Sequence, residues 1–282
     1  MTKKEVKDRI TDLTAIQDIT NTYEQVAATR TRRVKDTIVQ NRDFYESLSE
    51  IYFETQRCYQ EKLTREKKYI SRYSNSVGGG SVAVLLSANT GLYGKVVKEI
   101  YNQFVKDNVN SKSDLVIVGQ QGKRWMQNQD PTIQYKYFSL SDGTDNLDRP
   151  IRQIYDYISK YANVTVYHGI FKNIIEQPVT ITKVTQNLEL KNDKGETLFF
   201  LFEPTIDKVL KFFEEQLLYS FFDQTIHESA LAKYGSRMLG LDSATQNVSK
   251  ILQQTMFLST KMKHAVQNRK QLELVYSSAL WE

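Results

Sequence analysis

The sequence predicts an α/β protein with one long helix at each end of the chain and a compact domain of alternating strands and helices between them. Residues 1–77 contain no glycine or proline, and residues 205–282 contain two glycines and no proline. All four prolines and ten of the twelve glycines lie between Gly78 and Pro204. Because glycine and proline mark turns, this segregation indicates two long terminal helices around a turn-rich middle.

The predicted domains follow from these boundaries: an N-terminal coiled-coil helix over 1–77, an α/β domain over 78–204 and a C-terminal coiled-coil helix over 205–282. An unbroken helix from Ile206 to Leu280 would span about 110 Å. A helix of that length needs a partner along it. The other end of the chain supplies one, so we expect the two helices to run antiparallel.

The N-terminal helix has a start signal and a heptad seam. Thr2 and Glu5 have the spacing of a capping box. Beyond them, seam positions alternate three and four residues apart. The seam contains small and polar residues. We therefore expect the outer faces of the helix to make contacts as well, and the simpler interpretation is a weak coiled coil. Its members are Leu13, Ile16, Thr20, Tyr23, Ala27, Arg30, Val34, Thr37, Asn41, Phe44, Leu48, Ile51, Thr55 and Cys58.

The C-terminal helix repeats this spacing. A sustained period of 3.5 residues predicts a left-handed supercoil. Thr205 and Asp207 suit the positive end of a helix, so we expect the helix to begin there, after Pro204. The seam residues are Leu231, Tyr234, Met238, Leu241, Thr245, Val248, Leu252, Thr255, Ser259, Met262 and Val266.

The middle of the chain alternates between strand-like and helix-like segments, which predicts an open, largely parallel sheet of the Rossmann-like kind. A hairpin is expected to close this domain before the long C-terminal helix. In chain order the segments are strand Val82–Leu86, helix Val96–Val105, strand Leu115–Val118, helix Lys123–Gln129, strand Ile133–Phe138, helix Pro150–Tyr161, strand Val164–Tyr167, and hairpin strands Val179–Leu190 and Thr197–Phe202.

Two glycine turns follow strands, as phosphate-binding loops do, but both match poorly. Gly91–Gly94 lacks the third glycine of a dinucleotide fingerprint, and the Lys95 that follows it precedes Val96 rather than Ser or Thr. Gly119–Gly122 has only the residues of a tight turn. An open parallel sheet needs such turns whatever it does, so we interpret both as structural.

The sequence gives no positive sign of catalysis or of a metal site. His168, His227 and His264 are scattered, without the spacing of metal ligands. The single cysteine, Cys58, forbids an internal disulfide and fits a reducing compartment. With no apolar run of eighteen residues and no signal-like start, we expect a cytoplasmic protein.

The net charge of +5 permits a nucleic acid, an anionic membrane or an acidic protein as partner. Two basic clusters concentrate that charge, and in an antiparallel helix pair they are expected to form one positive girdle, with a solvated helix face as the plainer interpretation. They lack interleaved aromatic residues, so an acidic protein loop is favoured over nucleic acid. The clusters are Arg30, Arg32, Arg33 and Lys35, and Lys261, Lys263, His264, Arg269 and Lys270.

Short motifs in a consistent order point to a known family. They are Ile19-Thr20, Val26–Ala28, Arg30–Lys35, Ser87–Gly94, Phe202–Pro204, Ser236–Met238 and Ala244–Asn247. Together they resemble the gamma subunit of F-type rotary ATP synthases over essentially the whole chain. The segment Ser87–Gly94 is similar to that family's Ser-Asp-Arg-Gly-Leu-Cys-Gly signature, keeping both glycines but not the Asp, Arg or Cys.

The chain departs from that family at two other places. Lys263-His264 stands where family members have an Arg-Gln pair that grips a loop of the beta subunit. Near the end, Ser277-Ser278 replaces the usual Gly-Ala and follows Tyr276. These changes leave open which contacts the shaft makes, and the altered signature at Ser87–Gly94 leaves open which machine it drives.

The resemblance implies a non-catalytic central stalk whose two helices enter a hexamer of alternating alpha and beta subunits. It implies no cofactor on this chain, with ATP, ADP and Mg²⁺ on the partner subunits, and no metal. Further implied partners are an epsilon-like subunit and a membrane rotor ring, without nucleic acid or direct membrane insertion. The implied location is peripheral, on the cytoplasmic side of the cell membrane.

The resemblance also suggests two sets of contact residues. The residues implied to contact loops of the beta subunit are Arg30, Arg32, Arg33, Lys35, Lys263 and His264. The residues implied to form an apolar bearing at the tip of the shaft are Leu272, Leu274, Val275, Leu280 and Trp281. For this second set, ordinary packing against the first helix is the alternative role.

Three other functions stay open on the sequence. The chain could be the rotor of an F1-like ATPase that drives something other than an ordinary proton channel. It could be a Rossmann-type enzyme with coiled-coil arms that dimerise it, which requires ligand binding at Gly91–Gly94. It could also be a structural adaptor without an ATPase partner.

Overall fold

The computed structural model forms two units that share the two long helices. The paired-helix unit comprises residues 1–28 and 237–282, and the sheet unit comprises residues 29–236. Helix α1 (Lys3–Glu66) and helix α5 (Ile206–Ala279) each contribute to both units. The three-part division expected from the sequence stays a prediction. The residues described are 2–66, 80–108, 111–129, 131–142, 147–184, 203 and 205–279.

Both terminal helices form without interruption, as the absence of breakers predicts. Helix α1 has 64 residues and α5 has 74. The capping box at the start of α1 is confirmed: the amide of Thr2 donates to Glu5 Oε2 at 2.9 Å, and the amide of Glu5 donates to Thr2 Oγ1 at 3.3 Å. Helix α5 begins directly after Thr205, whose carbonyl accepts from the amide of Val209 at 3.1 Å.

A five-stranded sheet occupies the sheet unit, in the order β3-β2-β1-β4-β5. The pairs among β1 to β4 are parallel, and β5 runs antiparallel to β4. The predicted open, largely parallel sheet is therefore confirmed. The strands are β1 (Ser81–Leu86), β2 (Asp114–Val118), β3 (Lys136–Phe138), β4 (Asn163–Gly169) and β5 (Val179–Lys183).

Three shorter helices connect these strands: α2 (Val96–Asn108), α3 (Gln120–Gln129) and α4 (Asp148–Ile158). The predicted turn Gly119–Gly122 is wrong beyond its first residue, because α3 starts at Gln120 and Gly119 alone reverses the chain with a φ of +100°. Of the predicted hairpin, only β5 lies among the described residues, and the remainder, from residue 185 to residue 202, lies outside them.

Alternate residues of the strands face opposite sides of the sheet, and each side has its own core. Ala83, Leu85 and Ile117 pack with Ile100 and Phe104 of α2. The sheet therefore has a first buried layer on the side of α2 and α3.

The opposite side is covered by α4. Val84, Val116 and Val166 lie side by side in three neighbouring strands and pack with Ile151 and Ile154 of α4. All five side chains are completely buried. Both faces of the three central strands are therefore closed to water, as is usual for parallel sheets.

Helix α5 takes part in both cores. Its residues Phe222 and Ile226 belong to the core on the α4 side, and Leu231 and Tyr234 belong to the core on the α2 side. Helix α5 therefore passes from one side of the sheet to the other between Ile226 and Leu231. This crossing brings the long helix against the carboxyl ends of the central strands.

Candidate functional site

The paired-helix unit is held by an antiparallel contact between α1 and α5. Gln17 Nε2 donates to Ser249 Oγ at 2.8 Å, and Thr245 Oγ1 donates to Thr20 Oγ1 at 3.0 Å. Residue numbers therefore fall along α1 as they rise along α5, which confirms the predicted antiparallel pairing. The side chains buried in this seam are small or of moderate size, among them Val6, Ala27, Leu241, Leu252 and Thr255.

The predicted seam of α1 is correct at nine of its thirteen members whose side chains are described, a set that does not include Cys58. Leu13, Thr20 and Ala27 lie at least partly buried, as expected, but Ile16 and Tyr23 are 46% and 48% exposed. The residues one position later, Gln17 and Glu24, are half-buried instead. A period of 3.5 residues is compatible with either of the two neighbouring positions facing inward. The apolar character of Ile16 and Tyr23 favoured the wrong one.

The same shift recurs in the sheet unit. Phe44 and Ile51, both predicted seam residues, are 58% and 49% exposed, while Tyr52 is buried with Leu210 and Leu217 of α5. The seam of α5 is confirmed from Leu231 to Met262, but Val266 is exposed. The exchange of roles in α1 moves apolar side chains to the outer surface of the helix.

An apolar stripe therefore lies on the outside of the paired-helix unit. Ile16, Ile19, Tyr23 and Val26 are between 41% and 55% exposed. Their spacing of three, four and three residues places them on one face of α1. We call these four residues the outer stripe. Contiguous exposed apolar surface of this kind is typical of a protein interaction site.

The outer surface of α5 in this unit is also apolar in part. Phe257 is 74% exposed, and Met256 and Leu258 beside it are 47% and 39% exposed. Three predicted tip residues are solvent-exposed as well: Leu272 at 57%, Leu274 at 69% and Val275 at 63%. The alternative role of these three residues, ordinary packing against α1, is therefore wrong. Leu280 and Trp281 lie outside the described residues.

The first basic cluster lies in the sheet unit. Arg32, Arg33 and Lys35 are exposed, whereas Arg30 is half-buried with its guanidinium carbon 5.9 Å from the centre of the Tyr234 ring. A cation over an aromatic face is attracted to the ring. Arg30 thus contacts α5 of its own chain, and the other three side chains extend into solvent.

The second basic cluster lies in the other unit, on the exposed final turns of α5. Lys263 and His264 are both exposed. The first cluster belongs to the sheet unit and the second to the paired-helix unit. The single girdle and partner binding by either cluster therefore stay predictions.

The carboxyl ends of β1 and β4 form the position where open α/β sheets bind their ligands. Here α5 lies in that position. Lys233 Nζ donates to the carbonyl of Ser87 at 2.9 Å, directly after β1. A Cβ on Gly169, the last residue of β4, would lie 3.3 Å from the Cβ of Ala232. The crevice is therefore filled by a helix of the same chain.

The two glycine turns serve close packing at this edge. A Cβ on Gly119 would lie 2.8 Å from the backbone nitrogen of Ala88, and one on Gly94 would lie 2.6 Å from Ser236 Oγ. Leu92, between Gly91 and Gly94, takes a φ of 66° and is 63% exposed. Gly94 and Gly119 allow chain segments to approach one another, which supports a structural role for both sites.

The histidines lie in unrelated surroundings. His168 is buried, with Nε2 2.8 Å from Thr182 Oγ1, and burial lowers its pKa to about 4, so it is neutral at physiological pH. His227 Nδ1 lies 2.9 Å from the carbonyl of Asp223, one turn earlier in α5. Across the part of the chain that the structure describes, no group of His, Cys, Asp and Glu could hold a metal ion.

Sequence reasoning missed Lys233 and its surroundings. The residue is buried although charged. Its signal was a single charge in an otherwise uncharged run, Ser229–Ser236, within a helix.

Among the described residues, no helix is both long and apolar enough to cross a membrane.

Comparison with known proteins gives a consistent result. A family model described as ATP synthase matches residues 2–274. An ATP synthase gamma chain from Clostridium kluyveri is 24% identical over 255 residues, which cover 88% of this chain and 87% of the relative. An ATP synthase gamma chain from Vesicomyosocius okutanii is 22% identical over 293 residues and covers 98% of both chains.

Solved structures share the fold. A chain in the central stalk and c-ring of the Tetrahymena thermophila mitochondrial ATP synthase superposes with a TM-score of 0.55 at 20% identity, covering 80% of this chain and 99% of that one. A chain of the Euglena gracilis mitochondrial ATP synthase gives 0.51 at 11% identity, covering 89% and 94%.

Proposed function

The chain belongs to the gamma-subunit family of the F-type ATP synthases, and from that premise we propose how it acts as the central rotor shaft of such an enzyme. Its partners are the alpha and beta subunits of the hexamer and the membrane rotor ring. The paired helices turn inside the hexamer, and the sheet unit passes the rotation on to the ring. Rotation thereby couples ATP synthesis or hydrolysis to ion translocation.

The mechanism follows from a mismatch of symmetry. A single asymmetric shaft inside a ring with threefold pseudosymmetry presents a different face to each beta subunit. Three chemically identical sites then hold different conformations, and turning the shaft exchanges them. Reversing a site from 1:99 to 99:1 between two states needs about 5.5 kcal/mol of differential interaction, so many contacts must share the work.

The observation that carries the proposal is the apolar outer surface of the paired-helix unit. Ile19 is 55% exposed and Phe257 is 74% exposed, while the seam of the same helices buries residues as small as Ala27. Exposed apolar area costs free energy in water, at about 25 cal/mol per Å². A surrounding sleeve of partner subunits would remove that cost. In a free-standing coiled coil, this exposed apolar surface would cost free energy with nothing to offset it.

Charged residues supply a second kind of contact. Arg32, Arg33 and Lys35 extend into solvent and suit acidic loops of the beta subunits, as do Lys263 and His264 on the other unit. Contacts between charged groups form and break readily in water, which fits a surface that must pass three beta subunits in turn. The tip residues Leu272, Leu274, Val275 and Leu280 would then form an apolar bearing.

The chain itself binds no nucleotide in this proposal, and ATP, ADP and Mg²⁺ belong to the partner subunits. The filling of the sheet crevice by Ala232 and Lys233 supports this division of labour. It also weighs against a Rossmann-type enzyme, which would need that crevice for its ligand. We further propose that the chain lies on the cytoplasmic side of the membrane, with an epsilon-like subunit at its foot.

The test is to purify the tagged chain from its own cell and to measure the native mass and ATPase activity of what accompanies it. We expect one copy per six large nucleotide-binding subunits, with ATP hydrolysis. The remaining bands show whether a proton channel is attached or another machine is driven. A lone chain or a homodimer that binds nucleotide would overturn the proposal in favour of the enzyme.

A further inference from the structure

The crossing of α5 over the sheet edge is built around a buried lysine. Lys233 lies between Leu231 and Tyr234, which anchor the core on the α2 side. Its ammonium group donates to the carbonyl of Ser87 at 2.9 Å. Burial lowers the pKa of Lys233, and the attraction of Asp142 opposes that shift. A buried charge is retained only where neighbouring groups compensate its loss of hydration.

Asp142 joins the loop after β3 to the loop after β1. Its carboxylate accepts the amide of Asn89 at 2.9 and 3.0 Å, the amide of Thr90 at 2.7 Å and the hydroxyl of Thr90 at 2.9 Å. The backbone carbonyl of Asp142 also accepts a hydrogen bond from the hydroxyl of Tyr234. One residue thus ties two loops to α5.

A third loop is fixed by the same stretch of α5. Ser236 Oγ donates to the carbonyl of Tyr93 at 2.8 Å, and the chain passes so close that only a glycine fits at position 94 without a shift of its neighbours. Three residues of α5, Lys233, Tyr234 and Ser236, therefore hold the carboxyl edge of the sheet through polar contacts. We call this set the crossing joint.

Polar and apolar contacts resist different motions. Apolar packing is non-directional, so a helix held by it alone tolerates small rotations about its own axis. Hydrogen bonds weaken steeply when their angle changes, so they resist such a rotation. Leu231 and Phe222 hold α5 against the sheet, while the crossing joint fixes the angle at which it lies.

We propose that Lys233 is the positioning residue that locks α5 in rotation against the sheet, so that torque carried along α5 reaches the sheet unit without slip at the crossing. The proposal rests on the proposed rotor function. Lys233 acts through the carbonyl of Ser87 and through Asp142, which in turn holds the loops after β1 and β3. Without the ammonium group, the joint keeps the hydrogen bonds of Tyr234 and Ser236 but loses its link to Ser87, and its resistance to twisting falls.

The first test needs no rotor. In the isolated chain with Cys58→Ser, spin labels at Lys112→Cys and Lys208→Cys report the distance between the sheet region and α5, two exposed positions of one unit. Lys233→Met keeps most of the side-chain volume and removes the charge. We expect the distance distribution to broaden about two-fold. The exposed Lys160→Met, as matched control, should leave it unchanged.

The second test uses the assembled complex. A probe on the sheet unit is followed while the shaft is stalled, and the variance of its angle measures torsional stiffness. Lys233→Met should raise this variance about two-fold at an unchanged ATPase rate. A loss of stability alone would not produce softer coupling in a fully assembled complex. If Lys233→Met fails to fold, Tyr234→Phe removes one bond of the joint and should give a smaller change of the same sign.

The outcomes separate the two proposals. Unchanged width and unchanged variance in both variants would overturn the role of Lys233, even if the wild type rotates. Failure of the wild type to rotate would overturn the proposed function, while a broadened distance distribution in Lys233→Met would still support the joint as a lock between helix and sheet.

Discussion

The two units of the molecule bury their apolar side chains in different ways. In the sheet unit, Phe104 and Phe222 are completely buried in cores on either side of the sheet. In the paired-helix unit, the seam buries Val6 and Ala27, while Phe257 is 74% exposed. The two cores of the sheet unit are complete by their own packing. The paired-helix unit reaches full burial only with partners.

The largest expected effect tests the self-sufficiency of the sheet unit. Phe104→Ala should lower the free energy of unfolding by about 3–5 kcal/mol, because it removes a fully buried ring and leaves a cavity. The matched control, Phe257→Ala in the paired-helix unit, should cost less than about 0.5 kcal/mol in the isolated chain. Urea denaturation of both variants measures the difference. If both variants lost the same free energy of unfolding, the proposed difference in packing between the two units would be wrong.

A smaller effect is expected from the basic cluster of the sheet unit. Changing Arg30, Arg32 and Arg33 together to Glu should weaken the coupling of hydrolysis to rotation, by about 1–3 kcal/mol if each exposed contact contributes up to about 1 kcal/mol. Torque in single-molecule rotation is the measurement. Because Arg30 also contacts Tyr234, the double variant at Arg32 and Arg33 isolates the contribution of partner contacts. Undiminished torque in the triple variant would sink the assignment.

Removing residues 272–282 should have a smaller effect still. The truncation deletes exposed residues such as Leu272 and Leu274. Distributed contacts tolerate the loss of the tip, so we expect lower torque with assembly largely intact. Native mass and rotation of the truncated complex check both parts. A truncated chain that no longer assembles would show that the tip holds the shaft in place.

The smallest effect concerns a carboxylate of the sheet unit. Burial raises the pKa of Glu214, although the hydroxyl of Tyr52 donates to it at 2.9 Å and opposes the shift. A raised pKa means that the folded state holds the proton more tightly. The stabilisation is therefore present at acidic pH and is lost as the pH rises through the folded pKa.

Glu214→Gln should remove this pH dependence and raise stability at neutral pH by less than about 1 kcal/mol, since the group is half-exposed. Urea denaturation at acidic and neutral pH measures it. A variant that loses stability at neutral pH would mean that the charged carboxylate is needed there.

Periodicity and breaker residues were enough to predict the fold. The absence of glycine and proline before Gly78 predicted α1. The alternation of strand-like and helix-like segments predicted that β1 to β4 run parallel to one another. The register of α1 was not predictable in the same way. Ile16 and Gln17 compete for one inward position, and the hydrogen bond to Ser249 that favours Gln17 depends on the partner helix.

The crossing joint lay beyond sequence reasoning for a similar reason. Lys233 and Asp142 are 91 residues apart in the sequence, and neither carries a motif. Their association depends on where α5 passes the sheet, which is a property of the tertiary packing. Most members of the basic clusters are exposed, as the sequence predicted for a charged surface, but Arg30 is half-buried. Their assignment to different units followed only from the fold.

Chemical labelling in the assembled enzyme tests the central claim most directly. In a Cys58→Ser background, Ile19→Cys and Phe257→Cys place a thiol on each helix of the paired-helix unit, with Lys112→Cys in the sheet unit as the matched control. We expect rapid maleimide labelling at all three positions in the isolated chain. Assembly with the hexamer should abolish labelling at positions 19 and 257 and leave position 112 reactive. Undiminished labelling at positions 19 and 257 in an active complex would contradict the account.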